Sequence, residues 1–400
     1  MDFVEMVVSS PKKGVTEIRP NFLVGMPKDL MIRGRDFYAF WDESTGFWNT
    51  NPNLFCALVD KEGWALHEEL SKQTSDAVSY KSMKVYTSGC WETFRRYTRS
   101  LGDNFVPLDH KLIFANQTPK REDYASKSLS YSLNRDGCPA YEEIVSTLYD
   151  PEEREKFEWA IGSIFSGDVE RIQKFLVFYG PPGSGKSTIL NIVEKLFRGY
   201  FITFNAKSLG GGDDFALEQF KENPLVAIQH DGDLSRIEDN TMLNSIVSRE
   251  TVVINEKHKS RYSMKMRTFL MMGTNKPVKI TDAKSGLLRR LLDVHPSGRL
   301  VSRERYFQLM HQIDFELGAI AQHCIDVYER LGSSGYSGYK PQQMIEQTDV
   351  FYNFMEENAA NFTKEDGVTL SRAYSLWKEW SADAGLTYSI PKHRFKAELR

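Results

Sequence analysis

One short segment near the middle of the chain carries the clearest chemical signal. Gly180–Ser187 reads GPPGSGKS and matches G-x-x-x-x-G-K-[ST], the pattern of phosphate-binding loops. The apolar run Phe175–Tyr179 before it predicts a buried strand, and residues 188–197 after it have apolar positions at helical spacing. A strand, a glycine loop and a helix in this order are the context in which the pattern binds phosphate. The segment therefore predicts a site for a nucleoside triphosphate.

Each part of this loop has a physical role in the prediction. Glycines let backbone N–H groups turn toward phosphate oxygens, and the start of the following helix adds partial positive charge. We expect the Lys186 ammonium to reach the β- and γ-phosphates of ATP, and the Ser187 hydroxyl to join the shell of a bound Mg²⁺. The predicted nucleotide-binding residues are Gly180, Pro181, Pro182, Gly183, Ser184, Gly185, Lys186, Ser187 and Thr188.

A second apolar run, 224–229, leads into His230 and then an acid. Asp231 at this point could hold Mg²⁺ or orient the attacking water, which would make ATP hydrolysis possible. Asp233 is the alternative candidate for this role. If the segment has no catalytic function, Asp231 is simply an acid in a turn. Motors with this pattern often have two adjacent acids here, whereas this chain has His230 before Asp231.

A third apolar run and an arginine pair complete the predicted catalytic set. The run 268–273 ends in Thr274 and Asn275, and we expect it to lie between the other two strands, with the Asn275 amide near the γ-phosphate or its water. Arg289 and Arg290 follow. A guanidinium there could reach the nucleotide of a neighbouring subunit and stabilise the charge on the transferring phosphoryl group. Taken alone, the pair is more typical of a solvated helix face.

A basic segment lies between the acid and the asparagine. Residues 254–267 predict two extended stretches around a tip that carries Lys257, His258 and Lys259. Inside a ring, a hairpin with this charge would contact the phosphate backbone of single-stranded DNA. A solvated turn is about as consistent with the segment alone.

Composition and pattern changes along the chain predict five segments. Aromatic residues are frequent before residue 110, where 36–41 and 47–48 predict two strands around a glycine turn; their main expected use is core packing. The predicted segments are a mixed α+β module (1–110), a helical domain (111–165), the nucleotide domain (166–331), a glycine- and serine-rich linker (332–341) and a helical, DNA-binding tail (342–400).

The overall composition is ordinary for a globular protein of this length. The 400 residues are 41% hydrophobic and 26% charged, with a formal net charge of −3, which excludes a uniformly basic nucleic-acid binder. We expect no zinc or disulfide site, because the four cysteines form no close pair. No apolar run has the length of a membrane span and no signal peptide opens the chain, so a soluble intracellular protein is predicted.

The order of these features resembles a known family. A phosphate-binding loop, an acid-ended strand, a Lys-His hairpin, a strand ending in Thr-Asn and then an arginine are similar to the superfamily 3 helicases of DNA viruses, phages and plasmids. The poxvirus- and phage-type helicase-primase branch is most similar. Residues 112–162, with Phe114–Gln117 and Cys138–Tyr141, resemble the domain before the ATPase there, and 368–400 resemble the winged-helix tail that often follows it. The likeness covers 112–331 well and the first hundred residues poorly.

The resemblance implies an α/β fold with an AAA+-type parallel sheet, assembled as a hexameric ring on single-stranded or forked DNA. It also implies that Lys186, Ser187, Asp231 and Asn275 serve ATP. In addition, it implies that Arg290, or Arg289, is the arginine finger and that Lys257 and His258 grip the strand. The chain departs from the family at Val247–Glu250, where this branch usually has a Thr-Gly-Gly-Asp run, which leaves the role of Glu250 open.

The favoured function is that of a replicative DNA helicase driven by ATP, encoded by a phage or virus and acting in the host cytoplasm. Some relatives fuse such a helicase to a primase or primase-polymerase, although residues 1–110 contain no obvious primase carboxylate cluster. An ATP-dependent origin-binding or loader protein that never unwinds DNA is the alternative. A small-molecule kinase has no use for the basic hairpin.

Overall fold

The computed structural model describes most of the chain. The described residues are 1–209, 216–233, 241–255, 261–276, 278, 286–342, 344, 351, 354–355, 358–362, 368–383 and 390–399.

The first hundred residues form a module of two small sheets and two helices. Its elements are β1 (Val4–Lys12), β2 (Val15–Phe22), β3 (Leu30–Arg33), β4 (Asp36–Asp42), β5 (Phe47–Asn49), α1 (Pro52–Gln73), β6 (Ala77–Tyr80) and α2 (Gly89–Ser100). Strand β2 pairs with β1 in antiparallel and with β6 in parallel, while β3, β4 and β5 form an antiparallel meander. The two strands predicted around the glycine turn are confirmed as β4 and β5.

Most aromatic side chains of this module form its core. Phe40, Phe55 and Phe94 are fully buried, and the rings of Phe55 and Phe94 lie 4.8 Å apart between centroids. Burial of rings this large supplies much of the stability of a small module. Core packing, the expected use of the aromatics, is confirmed for these three residues.

The centre of the chain forms a five-stranded parallel sheet with helices around it. Its strands are β7 (Phe175–Tyr179), β8 (Phe201–Thr203), β9 (Val226–Gln229), β12 (Phe269–Thr274) and β13 (Leu291–Val294). The helices in this part are α3 (Pro139–Leu148), α4 (Pro151–Phe165), α5 (Lys186–Leu196), α6 (Ala206–Leu209), α7 (Thr241–Val247) and α8 (Arg303–Leu331). The predicted α/β class is confirmed at this level.

The strand order decides which chain segments meet at the edges of the sheet. From one side to the other the order is β13, β7, β12, β9 and β8, and every neighbouring pair is parallel. Strand β12 therefore lies between β7 and β9, as the sequence predicts. Because all strands are parallel, the segments after β7, β9 and β12 come together at the carboxyl edge, where ligands bind in open α/β sheets.

Helices α3, α4, α5 and α8 share one hydrophobic core with the sheet. Buried residues from Leu112 to Tyr328 form a single cluster, so the predicted helical and nucleotide domains are not separated by a gap in the core. A buried polar group joins the helices. Arg154 on α4 donates to Glu158 at 2.6 Å and to Glu142 on α3, also at 2.6 Å, and Tyr141 donates to Glu158 at 2.9 Å.

The glycine- and serine-rich segment 332–341, predicted to be a linker, is packed against this domain. The indole N–H of Trp159 donates to the Gly332 carbonyl at 2.9 Å, and the Tyr336 ring lies 5.1 Å from that of Trp159. Farther along, Lys156 donates to the Tyr339 hydroxyl at 3.0 Å. Glycines leave the backbone free to follow the surface, while the tyrosines anchor it.

A two-stranded hairpin and a group of short helices complete the described structure. Strand β10 (Thr251–Ile254) pairs in antiparallel with β11 (Tyr262–Lys265), as predicted; the tip residues Lys257, His258 and Lys259 lie outside the described residues. The tail contains α9 (Ala359–Phe362), α10 (Leu370–Asp383) and α11 (Lys392–Glu398). No strand is found in the described part of this tail, so its winged-helix fold stays a prediction. None of the helices in the described ranges is both long and apolar enough to cross a bilayer.

Candidate nucleotide site

The predicted phosphate-binding loop lies at the carboxyl edge of the sheet. It follows β7 directly, and α5 begins at its lysine, Lys186. The loop starts in register with the neighbouring strand, because the Gly180 N–H donates to the Thr274 carbonyl at 3.2 Å. At its end Gly185 has φ of 102°, in the left-handed region that residues with a Cβ rarely adopt. A glycine at this position therefore allows the chain to turn into α5.

Lys186 lies inside the loop rather than in solvent. Its side chain is largely buried, and Nζ donates to the carbonyl oxygens of Gly180 at 2.7 Å and Pro181 at 2.8 Å. Burial lowers the pKa of this ammonium, and the nearby Asp231 carboxylate opposes that effect. The Lys186 ammonium is thus held at the centre of the loop. Asp231, which follows a different strand, is close enough to affect the pKa of this ammonium.

The loop opens on a cleft of about 230 Å³. Gly183, Gly185, Lys186, Ser187 and Thr188 line one part of it, and Leu148, Leu300, Val301 and Tyr306 line another. The Ser187 side chain is exposed, whereas the buried Ser184 hydroxyl has no hydrogen-bond partner within the described residues. A buried hydroxyl without a partner costs free energy, and a phosphate oxygen could satisfy it.

The two candidate acids have different surroundings. Asp233 forms an ion pair with Lys276, with 2.7 Å between Oδ2 and Nζ. Asp231 is exposed and has no ion pair among the described residues, and its charge acts on Lys186. Asp231 is therefore the better placed of the two to receive a cation at the loop.

His230, which replaces the expected second acid, binds the helix that follows the loop. Its Nε2 lies 2.7 Å from Glu194 Oε1 on α5. Beyond it, the Gly232 N–H donates to the Gly273 carbonyl at 2.7 Å. A Cβ at Gly273 would lie 2.5 Å from the His230 carbonyl oxygen, so β9 and β12 can approach this closely only with glycine there. These contacts hold the segment around Asp231 against both α5 and β12.

Asn275 is exposed immediately after β12, at the same edge as the loop and Asp231. The Thr274 hydroxyl shapes this turn: Oγ1 accepts from the Lys276 N–H at 3.1 Å and donates to the Lys276 carbonyl at 2.9 Å. The structure thus brings Lys186, Ser187, Asp231 and Asn275 to one edge of the sheet, as their positions after parallel strands predict.

The two predicted finger arginines lie at the opposite edge. Both precede β13, whose first residue pairs with the first residue of β7, so about 15 Å of strand separates them from the loop. Arg290 is buried within its own chain: Nε donates to the Ser248 hydroxyl at 2.9 Å and NH1 to the Gly286 carbonyl at 2.6 Å. Burial lowers its pKa, and the Arg289 charge adds to this. Arg289 is exposed. These contacts do not support the preference for Arg290 as the finger.

The segment that departs from the helicase pattern has a structural use that the sequence does not reveal. Ser248 holds Arg290, and Arg249 is buried with NH1 donating to the carbonyls of Ile246 at 2.9 Å and Thr268 at 2.8 Å. Burial lowers the pKa of Arg249 to about 9. Arg249 therefore ties the end of α7 to the residue before β12.

No cluster of three or more histidine, cysteine or acidic side chains suited to a resident metal occurs in the described part of the chain.

Comparisons with known proteins give limited matches. A family of unknown function (DUF5906) matches residues 178–290. An apo structure of the NrS-1 C-terminal region (305–718) is similar with a TM-score of 0.43 and 14% identity over 60% of this chain and 62% of that one. An A-form apo structure of the same region gives a TM-score of 0.42 and 14% identity over 71% and 73%. In the first of these comparisons the match spans less than two thirds of the other chain's length.

Proposed function

We propose that this chain is an ATP-hydrolysing motor that moves on single-stranded DNA during replication, as an oligomer whose neighbouring subunits complete each other's sites. The core would then be a phosphate-loop sheet of the AAA+ type. Hydrolysis would use Lys186 for phosphate charge, Ser187 and Asp231 for Mg²⁺, and Asn275 for the γ-phosphate or its water.

The observation that carries the proposal is the meeting of three strand ends at one edge. The loop after β7, the acid after β9 and the amide after β12 are adjacent because the strands are parallel neighbours. Lys186 and Asp231 are close enough for one charge to affect the other. Opposite charges held beside a glycine loop and a helix start suit a phosphate chain with its metal ion. A phosphate would compete with the loop carbonyls for the Lys186 ammonium.

The acids should differ in their effect on turnover. We expect Asp231→Asn to retain nucleotide binding but to lose ATP hydrolysis, by about 10²-fold or more, because the exposed carboxylate is removed from beside the loop. Asp233→Asn should have a smaller effect, since Lys276 already neutralises that carboxylate. Phosphate release and binding of a fluorescent ATP analogue measure the two properties. If Asp233→Asn is the more damaging change, the assignment of the acid is wrong.

The sequence favours Arg290 over Arg289 as the finger, but the contacts in the structure reverse our expectation for their effects on ATP hydrolysis. We expect Arg289→Ala to leave the melting temperature unchanged and to remove ATP hydrolysis in the assembled oligomer, because an exposed guanidinium at the far edge can act only on a neighbour's nucleotide. Arg290→Ala should lower the melting temperature, since the partly buried Ser248 hydroxyl and Gly286 carbonyl lose their donor. Thermal unfolding and phosphate release of both variants measure this contrast.

Mixing experiments separate an effect in trans from an effect in cis. An Arg289→Ala subunit has an intact loop, and a Lys186→Ala subunit has an intact arginine, so a mixed oligomer contains some complete composite sites. Recovery of hydrolysis at intermediate mixing ratios supports the trans assignment. Absence of recovery at every ratio contradicts it.

The contact with DNA is tested at the hairpin. We expect Lys257→Ala with His258→Ala to weaken binding of single-stranded DNA. The slope of log affinity against log salt should flatten by about one unit, because a phosphate that is no longer contacted keeps its counterions. ATP hydrolysis without DNA should persist, while its stimulation by DNA should be lost. Anisotropy of a labelled oligonucleotide and phosphate release measure both effects.

Lys265→Ala is the matched control, because Lys265 lies on β11 of the same hairpin and pairs with Glu170 at 2.7 Å. It should retain both DNA binding and stimulation. If the double variant is stimulated by DNA like the wild type, the tip residues do not contact the strand.

A further inference from the structure

A groove of about 330 Å³ separates the N-terminal module from the base of the β10–β11 hairpin. Residues of β3, β4 and the starts of α1 and α2 line one side, and Lys221, Glu222 and Tyr262 line the other. Tyr262 is the first residue of β11, so the groove adjoins the hairpin whose tip carries the Lys-His-Lys cluster.

Both cations and flat rings line this groove. The Arg33 guanidinium lies between the rings of Tyr38 and Tyr262, at 4.4 Å from each centroid, and NH1 donates to the Lys221 carbonyl at 3.3 Å. Arg95 and Lys221 also line it. Two carboxylates, Asp36 and Glu222, are present as well, so the lining has one net positive charge.

Tyr86 is the most exposed ring of the module, ahead of Trp64 on α1 at 51%. It is 72% exposed, whereas Phe40, Phe55 and Phe94 are fully buried, and its backbone has φ of 62°. Its ring contacts Trp91 edge-on, with 5.6 Å between centroids. The buried indole N–H of Trp91 has no hydrogen-bond acceptor within the described ranges. An exposed ring beside an unsatisfied donor is a surface on which a planar, polar group can stack.

Two helix starts adjoin the groove, and that of α1 adds to its positive potential. Pro52 is the first residue of α1, whereas Trp91 lies in the first turn of α2, which also contains Glu92, the ion-pair partner of Arg95 at 3.3 Å. The first turn of α1, a helix of 22 residues, contains no acid. The amino ends of helices favour anions through their free N–H groups and their dipole. Nucleic acids and acidic proteins both carry anions, but only a nucleic acid also has bases that can stack on the rings. The groove therefore favours the phosphates of a nucleic acid over the carboxylates of an acidic protein.

We propose that this groove binds single-stranded nucleic acid, with a base stacked on Tyr86 and phosphates beside Arg95 and Lys221. Stacking rings interleaved with cations are the combination that holds single strands without reading their sequence. The groove would continue the DNA-binding surface that is proposed for the hairpin. The N-terminal module would then help to hold the strand. That role rests on the proposed function, but binding itself requires neither ATP nor the loop.

The test is anisotropy of a labelled oligothymidylate about 20 nucleotides long, titrated with the full chain at several salt concentrations without nucleotide. Asparagine tolerates the left-handed backbone of Tyr86, so Tyr86→Asn removes the ring without new strain. We expect it to weaken binding about fivefold to one-hundredfold. Arg95→Gln with Lys221→Gln should flatten the salt dependence by about 1.4 units.

One control is Tyr86→Phe, which keeps the ring and should bind like the wild type. The other control is Lys72→Gln, which removes an exposed cation on α1 that pairs with Glu68. Thermal unfolding of each variant establishes that it is folded. If Tyr86→Asn and the charge variant bind like the wild type while the hairpin variant loses binding, the groove proposal is overturned and the motor proposal stands. If the groove variants lose binding but the wild type hydrolyses no ATP, the groove stands and the motor proposal fails.

Discussion

Lys186→Ala should reduce ATP hydrolysis by about 10²- to 10³-fold, the usual cost of removing one preorganised charge donor from a reacting oxyanion. The ammonium is buried at the centre of the loop, where the Gly180 and Pro181 carbonyls hold it. Its loss removes charge from the phosphates and leaves the hydrophobic core intact. Phosphate release with saturating ATP and Mg²⁺ measures the effect.

Lys195→Ala is the matched control for this change. Lys195 lies on the same helix, α5, and its ammonium pairs with Asp314 on α8, far from the loop. It should hydrolyse ATP like the wild type. Equal hydrolysis by Lys186→Ala and Lys195→Ala would show that the loop is not the nucleotide site.

Arg154→Ala should destabilise the domain by about 3–5 kcal/mol, the usual cost of breaking a buried ion pair. The side chain of Glu158 is only 4% exposed, and its Oε1 lies between Arg154 on the same helix and His323 Nε2 on α8, which is 3.1 Å away. Without the guanidinium, a carboxylate stays buried and Glu142 on α3 loses both of its hydrogen bonds to Arg154. The midpoint of urea unfolding, followed by circular dichroism, measures the change.

Arg135→Ala tests whether burial rather than pairing is responsible. Arg135 also forms a two-bond ion pair with a carboxylate, Asp326 on α8, but its side chain is 71% exposed. Exposed pairs contribute little to stability, so the unfolding midpoint should hardly move. A similar loss in both variants would contradict the burial argument.

Local sequence pattern was sufficient for the elements that position the site. The apolar runs before Gly180 and Asn275 form β7 and β12. Each of these features depends on consecutive residues whose types reflect burial and turning. Such patterns can be read without knowledge of the rest of the fold.

Side-chain contacts between distant segments could not be predicted in this way. Arg290 donates to Ser248, 42 residues earlier, and His230 contacts Glu194, 36 residues earlier. Neither pair leaves a local pattern, because tertiary packing alone brings its members together. The same reason explains why 332–341 looks like a linker: only the fold shows that Tyr336 meets Trp159.

Exposure separates residues that sequence alone treats as equal. Tyr86 and Phe94 both belong to the aromatic-rich module, yet one is largely exposed and the other fully buried. Arg289 and Arg290 are adjacent, yet only Arg290 is buried in its own chain. The proposed stacking and finger roles therefore depend on the three-dimensional arrangement.

Unwinding of a forked DNA duplex is the most direct test of the proposed motor. A duplex with single-stranded tails and a fluorophore–quencher pair at the fork is mixed with the full chain, ATP and Mg²⁺. We expect strand separation that requires ATP and is lost in Lys186→Ala and in the Lys257→Ala, His258→Ala double variant. If the wild type hydrolyses ATP on DNA without separating the strands, the chain is a loader or switch and the motor proposal is contradicted.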